Sequence, residues 1–515
     1  MKPELSPRNV NLALVVLLIL VMCSQLGFIV PLGGGLPVTV ADVLVALAFV
    51  GIALRLVSTR FRGIKPPPLQ GLALVAIALI ALARTRPITF AAIKEPLQLA
   101  EYFIFAFFVF SNVAETRDLK LLLTAFAVAT AAVVIWAGYH YLACDSPLDV
   151  RAGYGNRNLL GAFLAIALPM LYGLAVHIRS WRWRLVLLAI VALGLFVNLS
   201  GAAVLVTLVV LGLLSALRGQ RALVPFAIVL AIALLFVPRV LRPHHADAVF
   251  SSVAVNVDDN YLLSDRALVA RARELLHPTH EIIADHSGER VMPPSRPLDA
   301  LRLLNLLNAR RPLKGEDEFG LFVEVNRTIA TAVSQAQLAA YPLNDPQLAV
   351  RYQRWGAALA AIRSLWQKPL DALFGKGLVP YHKVVNPFMT QRLQYRTDEP
   401  EVYNVAAPEP FTHNLWLKTL LLTGLAGFLV LAWLVGSFLH RSARLYREAH
   451  SELILGVALG AIGGILGFTL AGIFTETIVR GLAIPFVFVL ATVAIAERIV
   501  HGDPQSALEQ LTRHD

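Results

Sequence analysis

Long apolar runs separated by short polar loops dominate the chain. Runs close to the length that crosses ~30 Å of hydrocarbon fall at about 11–30, 38–57, 69–83, 97–114, 121–142, 159–177, 185–200, 202–217, 222–238, 415–439, 453–474 and 482–497. They predict about twelve membrane-crossing helices, roughly nine before residue 239 and three after residue 411. The interval 239–411 breaks the pattern. Apolar residues there recur at three- and four-residue spacing near Arg266–Leu276, Leu298–Asn308, Phe319–Ala340 and Pro346–Trp366, which predicts helices. Pro293, Pro294 and Pro297 interrupt it, and Lys376 to Pro410 reads as loop. The expected fold is an all-α polytopic membrane protein. Its parts are N-terminal transmembrane helices over 1–238, a large helical loop or cap over 239–411, C-terminal transmembrane helices over 412–498 and a tail over 499–515.

Charge in the short loops sets an orientation, because basic residues collect on the cytoplasmic side. One alternating set of loops holds Lys2 and Arg8, Arg60, Arg62 and Lys65, Arg117 and Lys120, Arg179, Arg182 and Arg184, Arg218 and Arg221, Arg441, Arg444 and Arg447, and Arg498. The other set holds only Arg84, Arg86, Lys94, Arg151, Arg157 and Arg480. The first set is therefore expected in the cytoplasm. The cap is then outside, in the periplasm of a Gram-negative cell, with the chain in the inner membrane. The segment Met1 to Asn11 leads into the first apolar run without a small-residue cleavage site, which reads as an uncleaved span.

Composition agrees with embedding in lipid. Hydrophobic types make up 57% of the 515 residues and charged types 15%, where a soluble protein carries about 25% charged. Net charge is +11, which in a soluble protein would point to nucleic acid. Between Arg239 and Phe411, however, 20 Lys and Arg face 19 Asp and Glu, so the excess lies beside apolar runs. With no basic-aromatic platform either, nucleic acid is not an expected partner; membrane lipids are. Cys23 and Cys144, each in or near an apolar run, form neither a disulfide framework nor a metal site. The histidines of His280-Glu281…His286 lack the four-residue spacing of a helical zinc pair. No metal or cofactor is expected.

Chemistry-bearing residues cluster where the cap meets the membrane. His413 sits where the loop enters a helix. A neutral imidazole there can take a proton from a sugar hydroxyl, or it can simply be a polar helix-start residue. Asn414 can fix the ring or bind an acceptor. Arg351 offers a planar pair of donors to phosphate oxygens and would stabilise a departing diphosphate without a general acid; the plainer reading is an interfacial arginine reaching for water. Arg354 lies three residues on, near the same helix face. Lys94, Arg84, Arg86, Arg157, Arg239, Arg242 and Arg480 form a basic rim on the outer side that would gather anionic substrates. Each is singly readable as a headgroup-contacting charge. Glu476 can assist His413 or pair with Arg480. Glu95 reads as paired with Lys94, and Glu101 lies deeper in a span, where carboxylates are usually paired or functional.

Three stretches carry a family likeness. They are Arg351-Tyr-Gln-Arg-Trp355 followed by Pro369…Gly375-Lys376-Gly377, then His413-Asn414-Leu-Trp-Leu417 leading to Gly424-Leu-Ala-Gly427, and Gly155-Asn156-Arg157-Asn158 before Pro169. In these the chain resembles the O-antigen ligase and Wzy-type polymerase family of membrane glycosyltransferases. That family has an Arg-x-x-x-Trp helix, a Pro…Gly-x-Gly turn, a His-Asn-x-x-Leu helix running into Gly-x-x-Gly, and an Asn-Pro-Asn motif opening a span. The match departs in two places. Leu199-Ser200-Gly201-Ala202 stands where the family often has Ser-Arg-Gly, and Arg157 stands where it has proline. The resemblance implies a GT-C-like fold and a metal- and nucleotide-independent transfer from an undecaprenyl-diphosphate-linked glycan. The implied acceptor is a sugar hydroxyl of lipid A–core, or a second lipid-linked glycan in a polymerase. It implies His413 as base and Arg351 on the diphosphate, with Arg354, Asn414, Arg157, Asn158, Lys94 and Arg239 as binding candidates. The absence of the repeated Arg-x(10)-Gly pattern of polymerase loops leans toward the ligase. A transporter of bicarbonate or another solute and a non-catalytic envelope scaffold are the competing classes, although the polar residues lie at the outer edge and not at the mid-membrane position typical of transporters.

Overall fold

The structure, a computed structural model, describes residues 7–22, 27–30, 36–39, 69–88, 90–113, 115–143, 150, 152–154, 157–219, 346–379, 414–478 and 482–501, with single positions and short pieces between them. Helices build it. In chain order they are α1 (Pro7–Met22), α2 (Leu69–Arg84), α3 (Phe90–Asn112), α4 (Thr116–Ala143), α5 (Arg157–His177), α6 (Trp181–Val197), α7 (Gly201–Arg218), α8 (Pro346–Leu365), α9 (Pro369–Phe374), α10 (Leu415–Glu448), α11 (Glu452–Phe474) and α12 (Ala483–His501). Six of them, α4, α5, α7, α10, α11 and α12, are long and apolar enough to cross a membrane. The chain is therefore a helical membrane protein. Apart from Val38 and Thr39 and single positions, the expected span 38–57 lies outside the described residues, as do 222–238 and most of 239–345.

Two expectations change. The apolar run 11–30 is not one helix. α1 stops at Met22, and β1 (Gly27–Val30) pairs antiparallel with β2 (Leu36–Thr39), Phe28 opposite Val38. Gly33-Gly34-Gly35 separates two short, β-favouring apolar pieces, and hydropathy alone does not tell such a hairpin from the end of a span. A second short hairpin joins β3 (Ile283–Ala284) to β4 (Arg290–Val291). The other change lies in the expected loop after Lys376. Tyr381, Val384, Val385 and Phe388 are helical, and they pack on α8 and α10. Their three- and four-residue spacing is an apolar helix face, overshadowed in the sequence by Pro380 and Pro387.

The centre of the bundle is the α5–α11 pair. Gly456, Gly460, Gly463 and Gly467 of α11 face α5. A Cβ at Gly460 would lie 2.5 Å from the Met170 carbonyl oxygen, and one at Gly463 would lie 2.7 Å from Pro169. Small residues let the two backbones approach this closely, and dispersion and lipid release then hold them without a hydrophobic drive. α5 is buried on nearly every side, and α6, α7 and α12 wrap it.

Polar pairs collect at the two ends of the bundle. At one end Arg441 of α10 forks onto Glu497 of α12, with a 2.9 Å Nε–Oε2 bond, Arg179 pairs with Glu452, and His501 lies 3.4 Å from Glu448. At the other end Arg84 pairs with Asp371, Lys418 with Glu476, and Ser200 with Asn158.

Candidate functional site

The site is built around the first third of α10. Asn414 precedes this helix in an extended conformation, and its side-chain oxygen accepts a 3.0 Å hydrogen bond from the Leu417 amide. This is an N-cap, which satisfies one of the four orphan donors of a helix start. Asn414 is buried, so its oxygen is committed to fixing the segment that leaves His413. His413 itself lies outside the described residues, as does Arg239.

Ten residues into its course α10 breaks. Gly424 takes φ 69° and ψ −166°, left-handed space that only glycine occupies without strain. The break frees carbonyls of the preceding turn, and a second chain segment satisfies them. The amide of Lys376 donates to the Leu421 carbonyl at 2.9 Å, and that of Gly377 to Leu422 at 3.1 Å. Gly375 sits so close to the break that a Cβ there would lie 2.5 Å from the Leu422 oxygen. Gly377 (φ 84°) presses on α2 in turn, where the Thr85 hydroxyl accepts from the Leu378 amide at 2.7 Å. The Gly-x-Gly turn and the His-Asn…Gly-x-x-Gly helix, separate in sequence, are thus one clamp. Gly427, the second glycine, lies beside Ile77 of α2, and α10 runs on to Glu448.

Charge secures the clamp. Asp371 of α9 receives Arg84 from α2 and Lys376 from the turn, the latter at 2.8 Å. The Lys376 hydrogen bond, aided by attraction to Arg84 and Lys368, holds the Asp371 carboxyl below its ordinary range despite partial desolvation. Arg84 is thus a structural cation and not a free member of the basic rim.

Above the clamp, α8 lies on the same stretch of α10. Ala357, Ala358, Ala361, Ile362 and Leu365 pack against Leu417, Leu420 and Leu421. Arg351 and Arg354 are on this helix, at the turn that ends in Trp355, and the Trp355 ring meets Phe474 at the end of α11, 6.2 Å between centroids. Trp355 thus packs against the end of α11.

The buried charge of the site is one that sequence reasoning left without a role. Lys418, one turn after Asn414, reaches Glu476 in the turn after α11 at 2.9 Å and Glu95 of α3 at 3.5 Å. Glu476 is only 3% exposed. The expected Lys94–Glu95 pairing at the surface is therefore replaced by a bridge into the bundle, and Glu476 has Lys418 as a partner; Arg480 is outside the described residues. A lone lysine at the start of an apolar helix is expensive unless paired, and that was the available signal. These three residues rim a small, partly open cavity of about 70 Å³ between α2, α3 and α10, with Leu74, Leu99 and Leu431 among its apolar walls.

The remaining predicted residues fall nearby but apart. Arg157 is buried in the first turn of α5, not on a solvated rim. Asn158 accepts from the Ser200 hydroxyl at 3.1 Å, and the Ser200 amide donates to Asn198 at 3.1 Å, so the α6–α7 break folds over the start of α5. Lys94 is half-buried on α3, one residue from Glu95, and Glu101 lies partly buried further along it. Among the described residues no group of three or more His, Cys, Asp and Glu could hold a metal. No family model matches the chain, and no curated protein matches it.

Proposed function

We propose that the protein is a membrane glycosyltransferase of the O-antigen ligase type. It would cross the bacterial inner membrane about twelve times, by the length of its apolar runs, and work on the periplasmic face. The donor is a glycan on undecaprenyl diphosphate, and the acceptor is a sugar hydroxyl of lipid A–core. His413 takes the proton of the acceptor hydroxyl as its oxygen bonds to the anomeric carbon. The anomeric carbon–oxygen bond to phosphate breaks, and the diphosphate leaves with its charge held by Arg351, assisted by Arg354. No metal or nucleotide takes part.

One observation carries this reading. The segments that bear the Arg-x-x-x-Trp, Gly-x-Gly and His-Asn-x-x-Leu patterns all converge on residues 415–424 of α10, through side-chain packing and two backbone hydrogen bonds. Motifs spread over some seventy residues have no structural reason to share fewer than three helical turns unless they build a common site. The test is complementation of a deletion strain with wild type, His413→Ala or Arg351→Ala. Lipid-linked glycan should accumulate and the acceptor stay unmodified in the deletion and in both point variants, while each variant reaches the membrane. An acceptor that remains long-chain modified in the deletion strain overturns the ligase reading. Short oligomers on a modified acceptor would assign it as a polymerase instead.

A further inference from the structure

The outward surface of the α8–α9 corner is not that of a water-facing cap. α8 uses Ala357, Ala358, Ala361, Ile362 and Leu365 against α10. On its other side Leu359, Arg363 and Trp366 are exposed, and α9 adds exposed Leu370 and Leu373. Trp366 and Leu370 are each 63% exposed. Two exposed cations, Arg363 and Lys368, stand among these apolar groups. An aromatic, aliphatic and cationic surface of this kind suits the boundary between headgroups and acyl chains.

The level of the corner in the bundle points the same way. Gly375, directly after α9, lies against the α10 break at Gly424. From Gly424 to the Arg441–Glu497 pair the helix rises about 25 Å at ~1.5 Å per residue, close to the ~30 Å of a hydrocarbon core. If the Arg441 end marks one edge of the hydrocarbon, the corner marks the other. The lipid-facing stripe of α10, exposed Leu425, Leu429 and Trp433 at four-residue steps, begins at this level. The apolar surface of the corner therefore starts where the apolar flank of the bundle stops.

We infer that the α8–α9 corner is a membrane-seating surface. Trp366, Leu370 and Leu373 enter the outer-leaflet interface, and Arg363 and Lys368 meet anionic headgroups there. The inference rests on the helical membrane architecture and not on the glycosyl-transfer reading. Its consequence is that the bilayer, as well as the Gly-x-Gly clamp, holds α8 down on the outer third of α10.

The test uses the full chain with Cys23 and Cys144 replaced by serine. Nitroxide labels are placed singly through Lys368→Cys, Leu370→Cys and Leu373→Cys, in vesicles of phosphatidylethanolamine and phosphatidylglycerol. Labels at 370 and 373 should collide preferentially with oxygen, and the label at 368 with a water-soluble nickel chelate. Nickel preference at 370 and 373 means a water-facing surface and overturns the inference. Exclusion of both relaxers there means that another protein surface, such as a second copy, covers the corner, and overturns it equally. A second measurement leaves both cysteines in place. The fluorescence lost on Trp366→Phe should be the part that lipids brominated high on the acyl chain quench; an unquenched Trp366 contribution refutes the seating.

Discussion

The α5–α11 seam and the α9–α10 clamp are both built on glycines, yet they hold by opposite means. In the seam, glycines within two regular helices remove side chains so that backbones touch, and no polar group is needed. In the clamp, a glycine breaks a helix, and the freed carbonyls, a carboxylate and two cations must all be satisfied by another segment. The seam therefore fixes where α11 ends, and with it Glu476. The clamp fixes how α10 begins, and with it Lys418 and the chain leaving His413. The ion pair between Lys418 and Glu476 joins the two regions, so the geometry of the candidate site depends on both.

The largest effect should come from the seam. A Cβ at Gly467 would overlap the Ala165 carbonyl oxygen, and neither backbone can move without opening the bundle centre. Gly467→Val is expected to exceed ~4 kcal/mol, the range of severe core overpacking and loss of packing, and to abolish monodisperse protein on size exclusion in detergent. A Gly467→Val protein that purifies and melts like wild type would show that the seam is not the rigid half of the pair.

Next comes the joint. Lys418→Met leaves Glu476 buried with its lysine gone. Removing one member of a buried pair costs about 3–5 kcal/mol, and the partial exposure of Lys418 places this case toward the lower figure. Lys418→Met with Glu476→Gln should recover much of the loss, because no uncompensated charge remains. Thermal melts of the two variants give the comparison. Equal melting of single and double variants would mean that the pair does not join the regions.

Gly424→Ala tests the clamp itself. Alanine at φ 69° is strained, and its Cβ would come 2.5 Å from the Gly375 amide nitrogen. A loss of about 2–3 kcal/mol follows from backbone strain and overlap together. If the ligase reading holds, glycan transfer should fall further than stability does, since the clamp aims the start of α10.

Much of the helical framework was legible in the sequence because lipid enforces it. An apolar run close to the length of a membrane crossing has few alternatives, and 121–142, 159–177, 202–217, 415–439, 453–474 and 482–497 all appear as helices. The end of α1 was not, since Gly27–Val30 is as apolar as the helix before it. The motif glycines were visible as two patterns, but their contact was not, because periodicity says nothing of which segment supplies amides to a broken helix. The Lys418–Glu476 pair spans 58 residues, beyond any local signal. Asn414 reads in the sequence as a residue that fixes the His413 ring or binds an acceptor, while its position just ahead of an apolar helix is equally the signature of an N-cap, and its oxygen accepts the capping bond from the Leu417 amide. Arg351, Arg354 and His413 remain assigned by resemblance and chemistry, with their backbone neighbours Trp355 and Asn414 at the same end of the bundle.

The smallest effect, and the one that separates clamp from seam most cleanly, is acid sensitivity. Asp371 is held below its ordinary carboxyl value of 3.8, first by the Lys376 hydrogen bond. A carboxyl depressed in the folded state contributes stability that is present above the unfolded value and is lost as pH falls through the folded one. Asp371→Asn removes that contribution. At neutral pH the variant should melt lower by about 1 kcal/mol, a charged hydrogen bond discounted because Lys376 is 39% exposed. As pH falls below about 4 the difference from wild type should shrink toward zero. Every other group is common to both proteins, so only the difference between the two melting curves reports Asp371. In the seam, a Cβ at Gly467 meets only backbone atoms of Ala165 and Ile166, and a Gly467→Ala variant that still folds should keep a constant offset from wild type across the same range. A constant offset for Asp371→Asn would mean that its carboxylate charge does not hold the clamp closed.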